Sequence, residues 1–272
     1  MIMDGRDVSR VCKEIIREDA PENLTPCLAV IQVGNDPASD VYVRNKKRAF
    51  DGMGWGFRHV KLPDTCTQHE LVQAISILNE DKTVHGIIVQ LPLPAEFIPE
   101  EILLEIAPEK DVDGFNPASD FCPCTALGIM QMFGYYGIQI HGKHAVVVGR
   151  SNIVGKPTAK NLLANNATVT VCHSFTPDLA HHTRQADILV VAAGKPGLIT
   201  ADMVKPGAVV IDAGINRVDG KVVGDVDFDA VKDVAGWITP VPGGVGVMTV
   251  TSLLYNTLTA ASRQEGCIDE NA

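Results

Sequence analysis

Eight short apolar runs rich in β-branched residues, separated by stretches of helical character, punctuate this chain from Cys27 to Pro242. That alternation leaves few folds open, because strand, crossover helix and strand in succession build a parallel sheet with helices on its faces. The first three runs are CLAVIQV (27–33), FRHVKL (57–62) and GIIVQL (86–91). The other five are HAVVVG, ATVTVC, ADILVVAAG, GAVVIDAG and WITPVP, which with the helices between them describe a doubly wound sheet. A helix is expected over residues 38–53, opening after Asp36-Pro37 and closing near Gly52 and Gly54.

Between the two sets the texture changes to GFNPASDFCPCT, where Pro, Gly, Asn and Ser interrupt any regular element. A domain boundary is expected there. The last apolar stretch, MTVTSLLYNTLTAA, has helical spacing and is expected to return to the first domain. The expected fold is therefore α/β with two domains: residues 1–122 completed by 247–272, and residues 123–246.

Composition sets limits on partners. Of 272 residues 46% are hydrophobic, as in a packed globular protein, and the formal charge is −10. Nucleic acids and anionic membranes require a basic surface, so neither is expected as a partner. The seven cysteines are scattered without Cys-x-x-Cys spacing; they read as reduced thiols, and no metal is expected. Cys122 and Cys124 read as two packed small residues. The opening MIMDGRDVSRVCKEII has no apolar signal core, which makes the cytoplasm the expected compartment.

The run HAVVVG leads through Gly149-Arg150-Ser151 to Gly155-Lys156-Pro157, where a helix should begin. Such a turn gathers unpaired N–H groups and the positive end of a helix, which suits a pyrophosphate, although a plain strand-to-helix turn fits the spacing equally. The next strand ends Cys172-His173-Ser174 with no carboxylate to accept ribose hydroxyls. Arg150 and Ser174 can instead receive a 2′-phosphate, which favours NADP over NAD; the alternative is a solvated loop cation and a helix cap.

Tyr42 and Lys46 stand four residues apart and share a helix face, an arrangement that also fits a solvated surface. Lys47 and Arg48 fit that surface role better. Gln90 closes the apolar run GIIV at the carboxyl edge of a strand, where α/β proteins place ligands, or where an amide satisfies nearby backbone. Asp111 and Asp113 precede a Gly turn, and one of them is expected to be structural. In ITPVPGGVGVMT the paired glycines allow a flat ligand close to the backbone, or form only a tight turn. His181 and His182 lack ligand spacing and read as surface residues.

Taken together, GNDPASDVYVRNKKRAF, GIIVQLPLP, KDVDGFNP, PCT, VVVGRSNIVGKP, ATVTVCHS, ADILVVAAGKPG, VVIDAGIN, GDVDF and TPVPGGVG resemble the bifunctional methylenetetrahydrofolate dehydrogenase/cyclohydrolase (FolD) family in order and nearly throughout. The resemblance implies an N-terminal folate domain and a Rossmann-like NADP domain. It places Tyr42, Lys46, Val89, Gln90, Leu91, Asp113, Pro242, Gly243 and Gly244 at the folate, with Tyr42, Lys46, Gln90 and Asp113 serving catalysis. It assigns Gly149, Arg150, Ser151, Ser174 and Ile215 to NADP, Ile215 beside the nicotinamide, and implies a homodimer built through the NADP domain. Val247 and Ala126 stand where the family usually has Pro, and Ser119-Asp120 where Asn-x-Gly is frequent; none removes an expected catalytic group.

The implied chemistry is oxidation of methylenetetrahydrofolate with NADP and hydrolysis of the methenyl product. Hydride loss needs positioning, whereas hydration needs proton transfer. Lys46 is the expected proton carrier. A lysine side chain, with a reference pKa of about 10.4, acts as a base at neutral pH only when desolvated or faced by another cation. Two rivals remain: a Rossmann dehydrogenase for another small substrate, and a non-catalytic NADP-binding regulator. The first-domain motifs and the intact set Tyr42, Lys46, Gln90 and Asp113 oppose both.

Overall fold

The structure is a computed structural model and describes residues 1–268. In chain order the elements begin with helix α1 (Gly5–Asp19), strand β1 (Cys27–Val33), α2 (Pro37–Met53), β2 (Gly56–Leu62), α3 (Gln68–Glu80), β3 (Gly86–Val89), α4 (Pro99–Leu104) and α5 (Cys124–Tyr135). They continue with β4 (His144–Val148), α6 (Gly155–Ala164), β5 (Thr168–Cys172), α7 (Leu179–Thr183), β6 (Ile188–Val191) and β7 (Val209–Asp212). The hairpin β8 (Asn216–Val218) and β9 (Lys221–Val223), then α8 (Phe228–Val231), β10 (Trp237–Ile238) and α9 (Val245–Gln264), complete the fold.

The chain forms two compact units. The first comprises Lys13–Cys124 with the chain from Val250; the second comprises Met1–Cys12 with Thr125–Thr249.

The first unit holds a parallel sheet in the order β2-β1-β3. Every residue of β1 is buried, because successive side chains point to opposite faces and both faces are covered. Leu28 and Val30 join Val43 and Phe50 of α2 and Leu253, Leu254 and Leu258 of α9. Ala29, Ile31 and Val33 join Leu71, Ile75 and Leu78 of α3. Asp36 caps α2, its carboxylate accepting the Ser39 N–H at 2.8 Å. Asn256 of α9 donates from Nδ2 to the carbonyls of Val112 at 2.9 Å and Cys122 at 3.0 Å, so the C-terminal helix returns to this unit.

The second unit holds five parallel strands in the order β10-β7-β6-β4-β5. The chain goes outward from β4 to β5, then crosses to β6 on the other side of β4, so the switch point of this doubly wound sheet lies between β4 and β6. Ala145, Val147, Ile188, Val190 and Ile211 pack on one face; Val146, Val148, Leu189, Val191 and Val210 pack on the other.

Residues 1–12, expected in the first domain, belong instead to the second unit. The cause is main-chain pairing: Met3 donates to the Ile238 carbonyl at 2.8 Å, Ile238 to that of Met1 at 3.0 Å, and Gly5 to that of Gly243 at 2.8 Å. The hairpin β8–β9 was also not foreseen. Its signal is Asp219-Gly220, whose φ values of 50° and 75° are those of a tight primed turn.

Candidate active site and nucleotide site

In the first unit α2 carries Tyr42, 43% exposed, and the half-buried Lys46. Lys46 Nζ donates to Gln90 Oε1 at 3.1 Å. Gln90 follows β3 directly, and its Nε2 donates to the Leu91 carbonyl at 2.6 Å, so the amide orientation is set from both ends. The strand-end amide therefore both satisfies backbone and grips the lysine. Lys47, by contrast, pairs with exposed Asp51 at 2.7 Å. The amino end of α2 is tethered to the sheet by Gln32, whose buried side chain donates to Asp40 Oδ1 at 2.8 Å and meets His59 Nε2 at 3.0 Å. Val89 was expected at the folate; it is 2% exposed and its side chain packs in the core.

Asp111 is the structural member of its pair. It is buried, accepts the Asn116 N–H at Oδ2 at 2.7 Å, and its carbonyl accepts from the Gly114 N–H and Ser119 Oγ at 3.0 and 3.2 Å. Ser119, one of the departures from the family pattern, thus ties down this turn. Asp113, half-buried, stands beside Cys124. Burial pushes the Cys124 thiol well above its ordinary range; the Asp113 carboxylate pushes the same way and Lys46 the opposite way. Asp113, Cys124, Lys46 and Gln90 therefore share one neighbourhood. The packing expected of Cys124 is present, but its polar surroundings were missed, and only its place in the PCT motif signalled them.

In the second unit Gly149 follows β4 at the switch point. Its φ is 123°, and a Cβ there would collide with the Ala192 carbonyl. Gly155 opens α6 so close to Gly149 that a side chain would strike the Gly149 carbonyl. The turn is thus built from bare backbone at the carboxyl edge of the sheet, where doubly wound folds bind ligands. Ser151 Oγ accepts the N–H groups of Val154 and Gly155 at 3.2 and 3.3 Å, so Ser151 shapes the loop. Arg150 and Ser174 are exposed at the tips of the neighbouring strands β4 and β5, and Ile215 is 53% exposed. Pro242 is exposed and Gly243 and Gly244 buried, in the turn leading into α9.

A pair of buried acids that nothing in the sequence singles out also stands here. Asp225 accepts the N–H groups of Ala193, Gly194 and Lys195 at 2.6, 2.9 and 2.8 Å and the Asn216 amide at 2.8 Å. Asp212, ending β7, accepts the N–H groups of Gly214, Asp225 and Val226 at 2.9, 3.0 and 2.9 Å. Together they clip the loop after β6 to the loop that carries Ile215.

Two of these carboxyls set a pH dependence. Burial pushes Asp111 and Asp212 from 3.8 up to about 6, so the native state binds more protons than the unfolded chain between those values. Stability from this source rises as pH falls from 7 toward 5. His59, lowered mainly by burial, opposes these two as a single group. Below about pH 4 the trend reverses. There Asp81, held down to about 2 by hydrogen bonds from the Thr83 hydroxyl and N–H and from Arg58, must take up its proton. The thermal midpoint at constant ionic strength is expected to peak near pH 5, and a steady decline from 7 to 5 would contradict this.

A doubly wound sheet with a glycine-built turn at its switch point, in one chain with a separate α/β unit holding a lysine–amide pair, has the architecture of a nucleotide-binding protein with a second polar site. The sequence matches two family descriptions: tetrahydrofolate dehydrogenase/cyclohydrolase, catalytic domain, over residues 3–113, and the NAD(P)-binding domain of the same family over residues 123–265. The chain belongs to the tetrahydrofolate dehydrogenase/cyclohydrolase family. It is 53% identical over 275 residues to the bifunctional protein FolD of Francisella philomiragia, covering 96% of this chain and 98% of that protein. The FolD crystal structure from Campylobacter jejuni superposes with a TM-score of 0.93 at 46% identity, covering 96% and 98% of the two chains. The Trypanosoma brucei FolD, solved with NADP cofactor and inhibitor, gives 0.91 at 39% identity, covering 97% of each. The chain is thus a bifunctional enzyme, a dehydrogenase and a cyclohydrolase of tetrahydrofolate one-carbon derivatives, with an NAD(P)-binding domain.

Proposed function

We propose that the enzyme oxidises 5,10-methylenetetrahydrofolate with NADP and hydrolyses the methenyl product to 10-formyltetrahydrofolate, with Lys46 moving the proton in the second step. The observation that carries this is the 3.1 Å contact of Lys46 Nζ with Gln90 Oε1 in the neighbourhood of Asp113. In the first step a hydride leaves the methylene carbon for the nicotinamide, and the two folate nitrogens share the resulting positive charge. No acid or base is needed. In the second, a water oxygen bonds to the methenyl carbon, one water proton passes through Lys46 to N5 as the bond from that carbon to N5 breaks, and the other is released to solvent, leaving the formyl group on N10. Gln90 aims the lysine, Tyr42 packs on the ligand, and Asp113 anchors the pterin ring. Leu91, Pro242, Gly243 and Gly244 are assigned to the folate, and Gly149, Ser151 and Ile215 to the cofactor.

NADP selectivity is assigned to Arg150 and Ser174, exposed at adjacent strand ends with no acid between them. Arg150→Ala should cut the NADP-over-NAD ratio of kcat/KM by about 1.5–3 kcal/mol, roughly ten- to 150-fold. Equal efficiencies with the two cofactors in the unmodified enzyme would remove the assignment.

A homodimer through the NADP-binding unit is part of the same reading, supported by β5, an edge strand with Val171 39% exposed. Free cysteines support a reducing, cytoplasmic setting, and the charge of −10 disfavours nucleic acid as a partner. Among the described residues no helix is long and apolar enough to cross a membrane, and no cluster of three His, Cys, Asp or Glu side chains is placed to hold a metal.

A further inference from the structure

Phe175 is 79% exposed, more than any other large apolar side chain among the described residues. It is not on a loose loop. Thr176 donates its N–H to the His173 carbonyl at 2.8 Å, His173 donates its N–H to Thr176 Oγ1 at 2.9 Å, and the Phe175 N–H meets His173 Nδ1 at 3.2 Å. The ring stands edge-on to His173, with centroids 6.1 Å apart. On its other contact the Arg150 guanidinium lies over the ring, 5.6 Å from the centroid. Val148 and Cys172 are register partners in β4 and β5, so the loops bearing Arg150 and Phe175 leave the same edge of the sheet side by side.

This arrangement has a use. Arginine carries a large rotamer entropy, and a guanidinium already laid on an aromatic face has surrendered part of it before any phosphate arrives. Ser174, next to the ring, completes the strand tip where a 2′-phosphate would sit. We propose that Phe175 is a specificity-determining residue: a platform that holds the Arg150 guanidinium ready for the 2′-phosphate of NADP. The proposal rests on the reading of Arg150 as the 2′-phosphate residue. An exposed cation–π contact is worth about two- to fivefold in an equilibrium or rate ratio. Phe175 acts through Arg150, so that factor should fall on NADP and spare NAD.

The experiment measures kcat/KM and, by calorimetric titration without folate, the association constant (1/Kd) for NADP and for NAD of the unmodified enzyme, Phe175→Ala, Phe175→Trp, Arg150→Ala and the Arg150→Ala/Phe175→Ala double variant, the two readouts being expected to move together. Phe175→Ala is expected to lower the NADP value about two- to fivefold and leave the NAD value unchanged, while Phe175→Trp keeps the NADP preference. In the Arg150→Ala background, removing the ring should not move the ratio further. NADP and NAD falling together would overturn the proposal, making Phe175 a contact of the shared adenosine or a prop for the loop. An equal drop in the ratio with and without Arg150 would overturn it as well. If Arg150→Ala itself leaves the preference intact, the underlying reading fails; an intact Arg150 effect with a silent Phe175→Ala overturns the platform proposal alone.

Discussion

Lys46→Met is expected to lower cyclohydrolase activity by at least about 100-fold, within the 10²–10⁴ range of a positioned acid–base group. The substitution keeps a long apolar stem and deletes the amine that meets Gln90 at 3.1 Å. Dehydrogenase activity should persist in part, because hydride loss asks the protein only for positioning, and Tyr42 and the second unit remain. Methenyltetrahydrofolate then accumulates during NADP reduction, where the parent enzyme passes much of it on. The half-buried position of Lys46 and its fixed partner distinguish it from Lys47, whose exposed pair with Asp51 predicts a change of only a few tenths of a kcal/mol on substitution. Unchanged hydrolysis in folded Lys46→Met protein would end the catalytic assignment. Equal loss of both activities would make Lys46 a residue that positions substrate.

Asp225→Ala is expected to cost roughly 4 kcal/mol or more, at the exceptional end for one substitution. Asp225 is fully buried, and its loss leaves the N–H groups of Ala193, Gly194 and Lys195 and the Asn216 amide without their acceptor. Dehydrogenase activity should fall with stability, since the same carboxylate holds the segment next to Ile215. The midpoint of guanidinium unfolding reads the effect directly; a midpoint within experimental error of the parent would show that the four donors find other acceptors.

How far the sequence was legible follows from the kind of signal each part carries. β1 was readable to the residue, because burial on both faces writes an unbroken apolar run, and Asp36-Pro37 with Gly54 marks both ends of α2. Residues 1–12 were not, since their attachment to β10 is made by main-chain groups that carry no side-chain signature. Lys46, Gln90 and Asp113 were raised to site residues only by the resemblance, their lone spacing fitting a surface helix, a strand end and a turn as well. Asp212 and Asp225 read in sequence like any acidic loop, and only burial shows that they hold two loops together. Phe175 escaped for the converse reason: an apolar residue beside a strand end reads as core, and here it faces outward under Arg150.

The central claim is that one chain performs both conversions. The most direct measurement supplies methylenetetrahydrofolate with NADP or NAD and follows, in one spectrophotometric trace, reduced nicotinamide and the methenyl chromophore, with 10-formyltetrahydrofolate measured at the end. The expected result is NADP reduction faster than NAD reduction, a methenyl signal that stays below the nicotinamide signal, and formyl product making up the difference beyond the uncatalysed rate of methenyl hydrolysis. Reduction without catalysed formyl production, or no reduction with either cofactor, would contradict the account.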